Sequence, residues 1–162
     1  MHHVSVNHKI NAPAQKVWDV LDKFSEVYLY HPFVKHSESL NHMSGGLGAE
    51  RTCHFEDGNK IKERIIAYEK GKSYHVEIYD PGKFPLRKAV ALLEVTPESQ
   101  NKATVIFNMT FQPKFGPAGW LMAKMLMKKQ FASILKKVLY GLDTHLQTGG
   151  IIGKNGSVLK AA

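Results

Sequence analysis

The segment ERTCHFEDGNKIKERIIAYEKGKSYHVEIYD, residues 50–80, decides the fold because it holds three strand-length runs separated only by short turns. Glycine with polar or charged neighbours marks each break, as is typical of turns. Five such separators occur between residues 36 and 113: Ser44-Gly45-Gly46, Asp57-Gly58-Asn59, Lys70-Gly71-Lys72, Pro81-Gly82-Lys83 and Pro97-Glu98-Ser99. They imply about six strands. Because the connections are so short, neighbouring strands are expected to pair antiparallel, with no crossover helices.

The residues before this run of strands predict one more strand and two short helices. Residues 4–10 alternate apolar and polar side chains, which predicts a half-buried strand. Asn11-Ala12-Pro13 then starts a helix, because proline is tolerated in a first helical turn. A second short helix is expected over residues 25–33.

The residues after the strands predict a long C-terminal helix. Residues 116–147 carry apolar side chains at three- and four-residue steps, which is typical of an amphipathic helix. The sequence therefore predicts a single α+β domain over residues 1–148, in which a curved sheet buries one face against this helix. Residues 149–162 are glycine-rich and short of core residues, so they are expected to form a flexible tail.

The charge of the chain is concentrated near its C-terminus. The 162 residues carry 22 Lys and Arg against 14 Asp and Glu, a net charge of +8. From Pro113 onward there are eight lysines and one acid, Asp143, so this part carries +7 and the first 112 residues carry +1. These lysines are spread around a helix whose apolar side is needed for packing, and the strands lack interleaved aromatic and basic residues. We therefore expect no nucleic-acid partner.

Several classes of site are excluded or unsupported. Cys53 is the only cysteine, which excludes an intrachain disulfide and a cysteine-based zinc site and favours a reducing, cytoplasmic compartment. No apolar run is long enough to span a membrane, and the N-terminus lacks the pattern of a signal peptide. No metal-ligand spacing, nucleophilic motif or phosphate loop is present, so no metal or cofactor is expected.

The chain resembles the START-like superfamily, in particular its polyketide cyclase/dehydrase-like branch. The opening VSVNHKINAP at residues 4–13 and VWDVL at 17–21 resemble the start of that family. Further segments resemble successive strands of that family in the same order: 48–52, 62–65, 74–78, 104–107 and 111–113. The resemblance as a whole covers roughly residues 3–148. His31 stands where the family usually has tryptophan before the proline of the second helix.

The resemblance implies a helix-grip fold, with a seven-stranded antiparallel sheet curled around the C-terminal helix and a largely apolar cavity between them. It implies binding of a hydrophobic or amphipathic small molecule, such as a lipid, a quinone or a polyketide-like compound, by a carrier or sensor. One alternative is an enzyme of the cyclase/dehydratase type, and another is a regulatory or assembly module without a ligand. The fold alone does not choose between them.

One hairpin provides polar candidates for the cavity. A three-residue turn at Asp57-Gly58-Asn59 would place Cys53 opposite Glu63 and Arg51 opposite Ile65, so that Arg51 and Glu63 are diagonal neighbours on one face. A pair of opposite charges beside an apolar cavity either stabilises the end of a sheet or orients a ligand.

The remaining cavity candidates follow from alternation along the strands and from the helix seam. Tyr74 is singled out because a buried phenol needs a hydrogen-bond partner and can offer one to a ligand. An enzyme would need Arg51, Glu63 or Tyr74 to converge on one point, whereas charges paired at the cavity edge would favour a carrier. The complete set of expected lining residues is Arg51, Phe55, Glu63, Ile65, Tyr74, Val76, Ile78, Phe107, Met109, Phe131 and Leu135.

The first two turns of the long helix are out of phase with the rest. On a helical wheel of about 100° per residue, Lys124 and Lys128 fall on the buried seam, while the apolar residues of the same turns point outward. Those residues are Met122, Met125 and Leu126.

Two interpretations of this phase change remain open. A bend near Gly116 and Gly119 would reset the phase and leave both lysines in solvent. Alternatively, Lys124 and Lys128 lie at the cavity mouth and contact an acidic headgroup, and the outward apolar residues with Trp120 contact a membrane surface or a second copy. A hydrophobic ligand and such a transient surface contact are the expected partners.

Overall fold

The computed structural model describes residues 1–161 of the chain. The strands are β1 (His2–Ile10), β2 (Val34–Ser39), β3 (Glu50–Phe55), β4 (Lys60–Glu69), β5 (Ser73–Asp80), β6 (Leu86–Ser99), β7 (Lys102–Pro113), β8 (Gly150–Ile152) and β9 (Val158–Ala161). The helices are α1 (Ala14–Leu21), a 3₁₀ segment (Phe24–Leu29), α2 (Gly116–Met122), a π-helical turn (Ala123–Met127) and α3 (Lys128–Thr148).

Seven strands form one antiparallel sheet in the order β1-β7-β6-β5-β4-β3-β2. Each strand from β2 to β7 pairs with its neighbour in sequence, while β1 pairs with β7 and closes the order at the other edge. The long C-terminal helix and the two short helical segments after β1 complete the architecture. The predicted α+β helix-grip fold is confirmed.

The core follows from the patterns of the elements. In β1 the buried positions alternate with exposed ones, so Val4, Val6 and Ile10 face inward. α1 buries Trp18 on the same side, and α3 contributes Leu142 together with the rest of its apolar stripe. Both helical stripes therefore pack on the inner face of the sheet.

The prediction for the β3–β4 hairpin is correct in which side chains share a face but wrong in the register of the pairing. Arg51 pairs with Glu63 and Cys53 with Ile61, so the two charges are direct cross-strand neighbours rather than diagonal ones. The N–H of Phe55 donates to the carbonyl oxygen of Asn59 at 2.8 Å, which leaves Glu56-Asp57-Gly58 as the loop. Gly58 has φ 80°, as a three-residue hairpin loop requires at its last position. A shift by two residues keeps every side chain on its predicted face.

The predicted turn at Pro97-Glu98-Ser99 is also displaced. These residues belong to β6, with Pro97 opposite Ala103 and an irregularity in pairing between Pro97 and Ser99. The chain reverses at Gln100-Asn101. Proline lacks a backbone donor, and a local irregularity in the ladder is the usual way for a strand to hold one.

The predicted C-terminal helix is made of three consecutive helical pieces. Gly119, Ala123 and Met127 are buried at four-residue intervals before the stripe of α3 begins. The π-helical turn holds one more residue per hydrogen-bonded ring than an α-helix, so it resets the phase. The reset therefore lies at residues 123–127 rather than near Gly116, and it leaves Lys124 exposed and Lys128 half-buried.

The expected flexible tail contains a hairpin instead. Gly149 ends α3 with φ 72°, and β8 then pairs antiparallel with β9. Ile152 is 2% exposed and β8 contacts α3 and the 3₁₀ segment. The buried side chain of Ile152 thus attaches the hairpin to the rest of the domain, although the glycine content of this segment predicted a flexible tail.

In the part of the chain that the structure describes, no helix is both long enough and apolar enough to cross a bilayer.

Candidate functional site

A small cavity of about 60 Å³ lies between the inner face of the sheet and α3. It is bordered by six strands from β2 to β7, by α3, and by the irregular chain between α1 and β2. Its lining residues are Val27, Tyr30, His31, Val34, Arg51, Cys53, Phe55, Ile61, Glu63, Tyr74, Leu93, Phe107 and Val138. Seven of these residues are apolar, and the other six carry polar groups, which come together at one side.

The centre of this polar side is a closed ion pair. Arg51 Nε donates to Glu63 Oε2 at 2.6 Å, and both residues are buried. Arg51 Nη1 donates to the carbonyl oxygen of Phe24 at 2.6 Å, and the guanidinium carbon lies 3.8 Å from the centroid of the Phe24 ring. The arginine is therefore held by a carboxylate, a carbonyl and an aromatic face at once.

Cys53 is attached to the same carboxylate. Its thiol donates to Glu63 Oε2 at 3.4 Å. Burial raises the pKa of the Cys53 thiol well above its ordinary value, which the neighbouring Arg51 charge does not reverse. Burial is the largest single influence and lowers the pKa of Arg51, but Glu63 together with Cys53 and the two neighbouring tyrosines raises it overall, so the guanidinium stays charged. Cys53 is thus a neutral hydrogen-bond donor and not a nucleophile.

Two phenols lie next to the ion pair. Burial raises the pKa of Tyr30 to about 12 and that of Tyr74 well above its ordinary value. The two hydroxyls lie close enough for each to shift the pKa of the other. Both hydroxyls therefore stay protonated at neutral pH, and a phenol hydroxyl such as that of Tyr30 can donate to an acceptor in the cavity.

His31 completes the polar side as a neutral ring. The backbone N–H of Phe33 donates to His31 Nδ1 at 3.2 Å, so the proton of the neutral ring is on Nε2. Burial, with help from the Arg51 charge, lowers the pKa of His31 to about 3. The polar side of the cavity therefore presents hydroxyl and imidazole groups to a ligand and carries no uncompensated charge.

Close packing positions Tyr30. A Cβ added to Gly141 would overlap the carbonyl oxygen of Tyr30, so α3 approaches this backbone as closely as only glycine allows. The chain between α1 and β2 is also fixed at Ser37, whose hydroxyl donates to the carbonyl oxygen of Ser25 at 2.7 Å. These two contacts fix the position of the irregular chain between α1 and β2.

The structure brings five of the eleven predicted lining residues to the cavity: Arg51, Phe55, Glu63, Tyr74 and Phe107. The other six do not border it in the described structure, because they pack in the solid core or against it: Ile65, Val76, Ile78, Met109, Phe131 and Leu135. Strand alternation identifies the inner face but does not separate cavity wall from packed core.

Eight lining residues were not in the expected set: Val27, Tyr30, His31, Val34, Cys53, Ile61, Leu93 and Val138. Three of them, Val27, Tyr30 and His31, come from the irregular chain between α1 and β2, where no periodicity indicates direction. The mixture of tyrosine, histidine and proline at residues 28–32 was the one available signal. Such a cluster favours a polar lining in a segment that is otherwise apolar.

Lys124, Lys128 and Trp120 do not border the cavity either. Trp120 is 49% exposed, and Lys124 Nζ lies 5.3 Å from the centroid of its ring. A place for the lysines at the cavity mouth stays a prediction, and the structure shows Lys124 exposed and Lys128 half-buried after the π-helical turn.

A larger concave region of about 630 Å³ lies elsewhere, on the outer side of α3. It is an open groove lined by Lys136, Lys137 and Tyr140, by the loop of the β8–β9 hairpin, and by His8. We place the candidate site in the smaller cavity, because the buried polar groups lie there. Among residues 1–161, no three His, Cys, Asp or Glu side chains are arranged to hold a metal ion.

Solved structures with the same fold come from distant proteins. A protein from Bacillus thuringiensis is 17% identical with a TM-score of 0.73, over 90% of this chain and 99% of the other. The protein XoxI from Bacillus cereus is 19% identical with a TM-score of 0.75, over 91% and 97%. Norcoclaurine synthase from Thalictrum flavum, in complex with dopamine and hydroxybenzaldehyde, is 14% identical with a TM-score of 0.68, over 90% and 86%.

At these identities the structural likeness shows the fold alone. A comparison with curated protein sequences gives no match. The sequence model of one family, described as polyketide cyclase / dehydrase and lipid transport, matches residues 1–147 and thus spans the sheet and nearly all of α3. The chain therefore belongs to the polyketide cyclase/dehydrase and lipid transport family.

Proposed function

We propose that this protein binds a neutral amphipathic small molecule between the sheet and α3, as a carrier or sensor. Membership of a family described by polyketide cyclisation and lipid transport supports a hydrophobic ligand. The mostly apolar lining with one polar side supports a molecule with an apolar body and one polar end. Lipids, quinones and polyketide-like compounds have this form.

The closure of the Arg51–Glu63 pair carries the proposal that the ligand is neutral. With the guanidinium neutralised and His31 uncharged, the cavity offers no free cation to a ligand carboxylate. A carboxylate buried there would have no counter-ion, at a large cost in desolvation. A carbonyl or hydroxyl oxygen, in contrast, matches the protonated hydroxyl of Tyr30.

The size of the cavity requires that it expands to bind. Its volume of about 60 Å³ is well below the roughly 300–1,000 Å³ of typical small-molecule pockets. The rings of His31 and Phe55 lie edge to face with centroids 6.1 Å apart, and Phe84 packs on Phe55 at 5.4 Å. These half-buried rings are the groups that we expect to move when a ligand enters.

Native mass spectrometry of the protein purified from its source, followed by extraction, tests for a bound compound. Titrations then compare a neutral naphthoquinone with dodecanoate at neutral pH. We expect the quinone to bind and Tyr30→Phe to weaken it about 2- to 10-fold, the effect of one hydrogen bond. Tyr68→Phe is the matched control, because the pKa of Tyr68 is also raised to about 12 but its hydroxyl donates to Asp22 at 2.8 Å, away from the cavity.

Tighter binding of dodecanoate than of the quinone would contradict the proposal of a neutral ligand. An empty protein that binds no member of a panel of hydrophobic probes would contradict the carrier altogether. That result would favour a regulatory or assembly module.

An enzyme of the cyclase/dehydratase type is the second candidate. Arg51, Glu63 and Tyr74 do border one cavity, which is the convergence that such chemistry needs. Glu63, however, already accepts hydrogen bonds from Arg51 and Cys53, which leaves it poorly placed to accept a proton from a substrate. Turnover of an aromatic polyketide that Glu63→Gln abolishes in a folded protein would favour the enzyme.

A further inference from the structure

The segment from Phe115 to Lys129 exposes an apolar surface that no other part of residues 1–161 covers. We call it the apolar surface. Three of its side chains are among the most exposed large apolar groups of the protein, with Phe115 69%, Met125 67% and Leu126 63% exposed. Its members are Phe115, Trp120, Leu121, Met122, Met125 and Leu126.

These side chains form one continuous face. Leu121 and Met125 are four residues apart, as are Met122 and Leu126, so each pair lies on neighbouring turns. The opposite face of the same turns is committed to the core through Gly119, Ala123 and Met127. The segment is therefore amphipathic, with a buried face of small residues and methionine and an exposed face of large apolar residues.

Phe115 supports a role for the exposed face. It has φ 72°, in the left-handed region that a bulky residue rarely adopts. The chain thus holds an unfavourable backbone conformation at a position where the ring is mostly in solvent. Packing inside the protein does not account for a phenylalanine there.

Lysines surround the apolar surface. Lys114, Lys124, Lys128 and Lys129 lie within or beside it, and no acidic residue occurs between Lys114 and Asp143. Trp120 is positioned against Lys124, as the cation–π distance of 5.3 Å shows. Apolar and aromatic side chains with flanking lysines are the composition of helices that lie on anionic membranes.

We propose that the apolar surface docks on a bilayer that contains anionic lipids. The charges favour a membrane over a second copy of the chain. A symmetric contact would bring the lysines of two copies together, without a carboxylate on this segment to pair with them. An anionic lipid headgroup pairs with each of them instead.

The docking face adjoins the proposed ligand cavity. The N–H of Lys114 donates to the carbonyl oxygen of Pro85 at 3.0 Å, and the preceding Phe84 packs on Phe55, which borders the cavity. These contacts connect the apolar surface to the aromatic residues at the cavity through the chain before β6. The docking proposal does not depend on ligand binding, because a protein with an empty cavity presents the same surface.

Co-sedimentation of the full chain with vesicles tests the proposal. One set of vesicles is phosphatidylcholine alone and the other contains phosphatidylglycerol as a minor component. We expect partitioning to rise at least about tenfold with the anionic lipid and to fall again as salt is added, because exposed charges are screened.

Matched pairs of variants separate the two contributions. Met125→Gln with Leu126→Gln removes exposed apolar area, and its control is Leu40→Gln with Leu47→Gln on the loop between β2 and β3. Lys124→Gln with Lys129→Gln removes two exposed charges, and its control is Lys16→Gln with Lys70→Gln, which changes the net charge equally. We expect both surface variants to lose at least about fivefold in partitioning and both controls to retain it.

Equal partitioning of a surface variant and its control would overturn the proposal, as would failure of the wild type to sediment with anionic vesicles. Sedimentation equilibrium without lipid provides the alternative outcome. A dimer that Met125→Gln with Leu126→Gln dissociates would assign the surface to a second copy of the chain and would also overturn membrane docking.

Discussion

Arg51 is placed where its charge alone would be unfavourable, and its partners explain why the fold tolerates it. Glu63, the carbonyl of Phe24 and the Phe24 ring each contact the guanidinium. The opposite case occurs at the surface, where Arg64 contacts Glu77 at 3.2 Å with its side chain 44% exposed. Both pairs contain an arginine, a glutamate and antiparallel strands, so they form a natural comparison.

Arg51→Met is expected to lower the free energy of unfolding by about 3–5 kcal/mol, because it leaves the Glu63 carboxylate buried without a counter-ion. Arg64→Met, the control, should cost about 1 kcal/mol or less. Urea unfolding followed by the fluorescence of buried Trp18 measures both. The combined variant Arg51→Met with Glu63→Leu should recover part of the loss, because no charge is then stranded.

Equal losses for Arg51→Met and Arg64→Met would contradict a buried, closed pair.

His31 should make the fold sensitive to mild acid. Burial and the Arg51 charge lower its pKa from an ordinary 6.5 to about 3 in the folded protein. The unfolded chain therefore takes up a proton as the pH falls below about 6.5, while the folded protein resists it until about pH 3. The stabilising contribution is complete above pH 6.5 and is lost progressively below it.

We expect His31→Gln to reduce the loss of stability between pH 7 and pH 5 by about 1–2 kcal/mol, allowing for the partial exposure of the ring. His42→Asn serves as the control, because His42 lies on an exposed loop with φ 63°, which asparagine tolerates. Urea unfolding at the two pH values measures the slope. An unchanged slope in His31→Gln would show that this ring does not titrate as described.

At the scale of elements, alternation and helical spacing predicted the strands, the C-terminal helix and the inner face of the β3–β4 hairpin. They could not fix its register, because a shift by two residues moves Arg51 from Ile65 to Glu63 without turning any side chain over. Turn chemistry did not resolve it, since Asp57-Gly58-Asn59 and Glu56-Asp57-Gly58 both place glycine in the loop.

The helical wheel failed at Lys124 for a related reason. A wheel assumes one angle per residue, and the π-helical turn over residues 123–127 breaks that assumption where hydrophobicity alone gives no warning. Tyr30 and His31 were missed because the chain between α1 and β2 has no regular period. The sequence thus predicts which strand faces are buried, while the part of the polar side that Tyr30 and His31 supply depends on irregular backbone.

Gly141 is the residue at which α3 packs on the backbone of Tyr30 and so fixes the position of the chain before β2. Gly141→Ala is expected to lower the free energy of unfolding by about 1–3 kcal/mol, because its Cβ would overlap the Tyr30 carbonyl oxygen. Ser133→Ala, at an exposed position of the same helix, should be neutral or slightly stabilising. Urea unfolding compares them. A stabilised Gly141→Ala protein would mean that α3 does not pack closely on this backbone.

At the scale of the whole molecule, +7 of the net charge of +8 lies from Pro113 onward, and most of it is carried by the C-terminal helix. The first 112 residues carry +1 and supply all the lining residues of the cavity except Val138, and four of the eight lysines that follow lie within or beside the apolar surface. Charge and cavity thus belong to different parts of one domain. A substitution on the apolar surface is expected to alter vesicle binding without altering ligand affinity. A substitution at Tyr30 should alter ligand affinity without altering vesicle binding.

The β8–β9 hairpin is the last element of the chain, and its strand β8 contacts α3. The family match ends at residue 147, so the hairpin lies beyond it. Ile152 nevertheless lies beside Gly141, because its Cγ2 would be 3.5 Å from an added Cβ there. It therefore supports the same close contact that positions Tyr30.

We propose that residues 1–148 fold alone but less stably than the full chain. Ending the chain after Thr148 should lower the free energy of unfolding by about 2–3 kcal/mol, the contribution of one buried isoleucine side chain. Ile152→Ala in the full chain should reproduce most of this loss, whereas Val158→Ala, at a position 45% exposed, should change it by less than about 0.5 kcal/mol. Urea unfolding of the three proteins decides the matter: if the shortened chain is as stable as the full one, the hairpin contributes nothing to the domain, whereas a loss shared by Ile152→Ala assigns its contribution to this contact with α3.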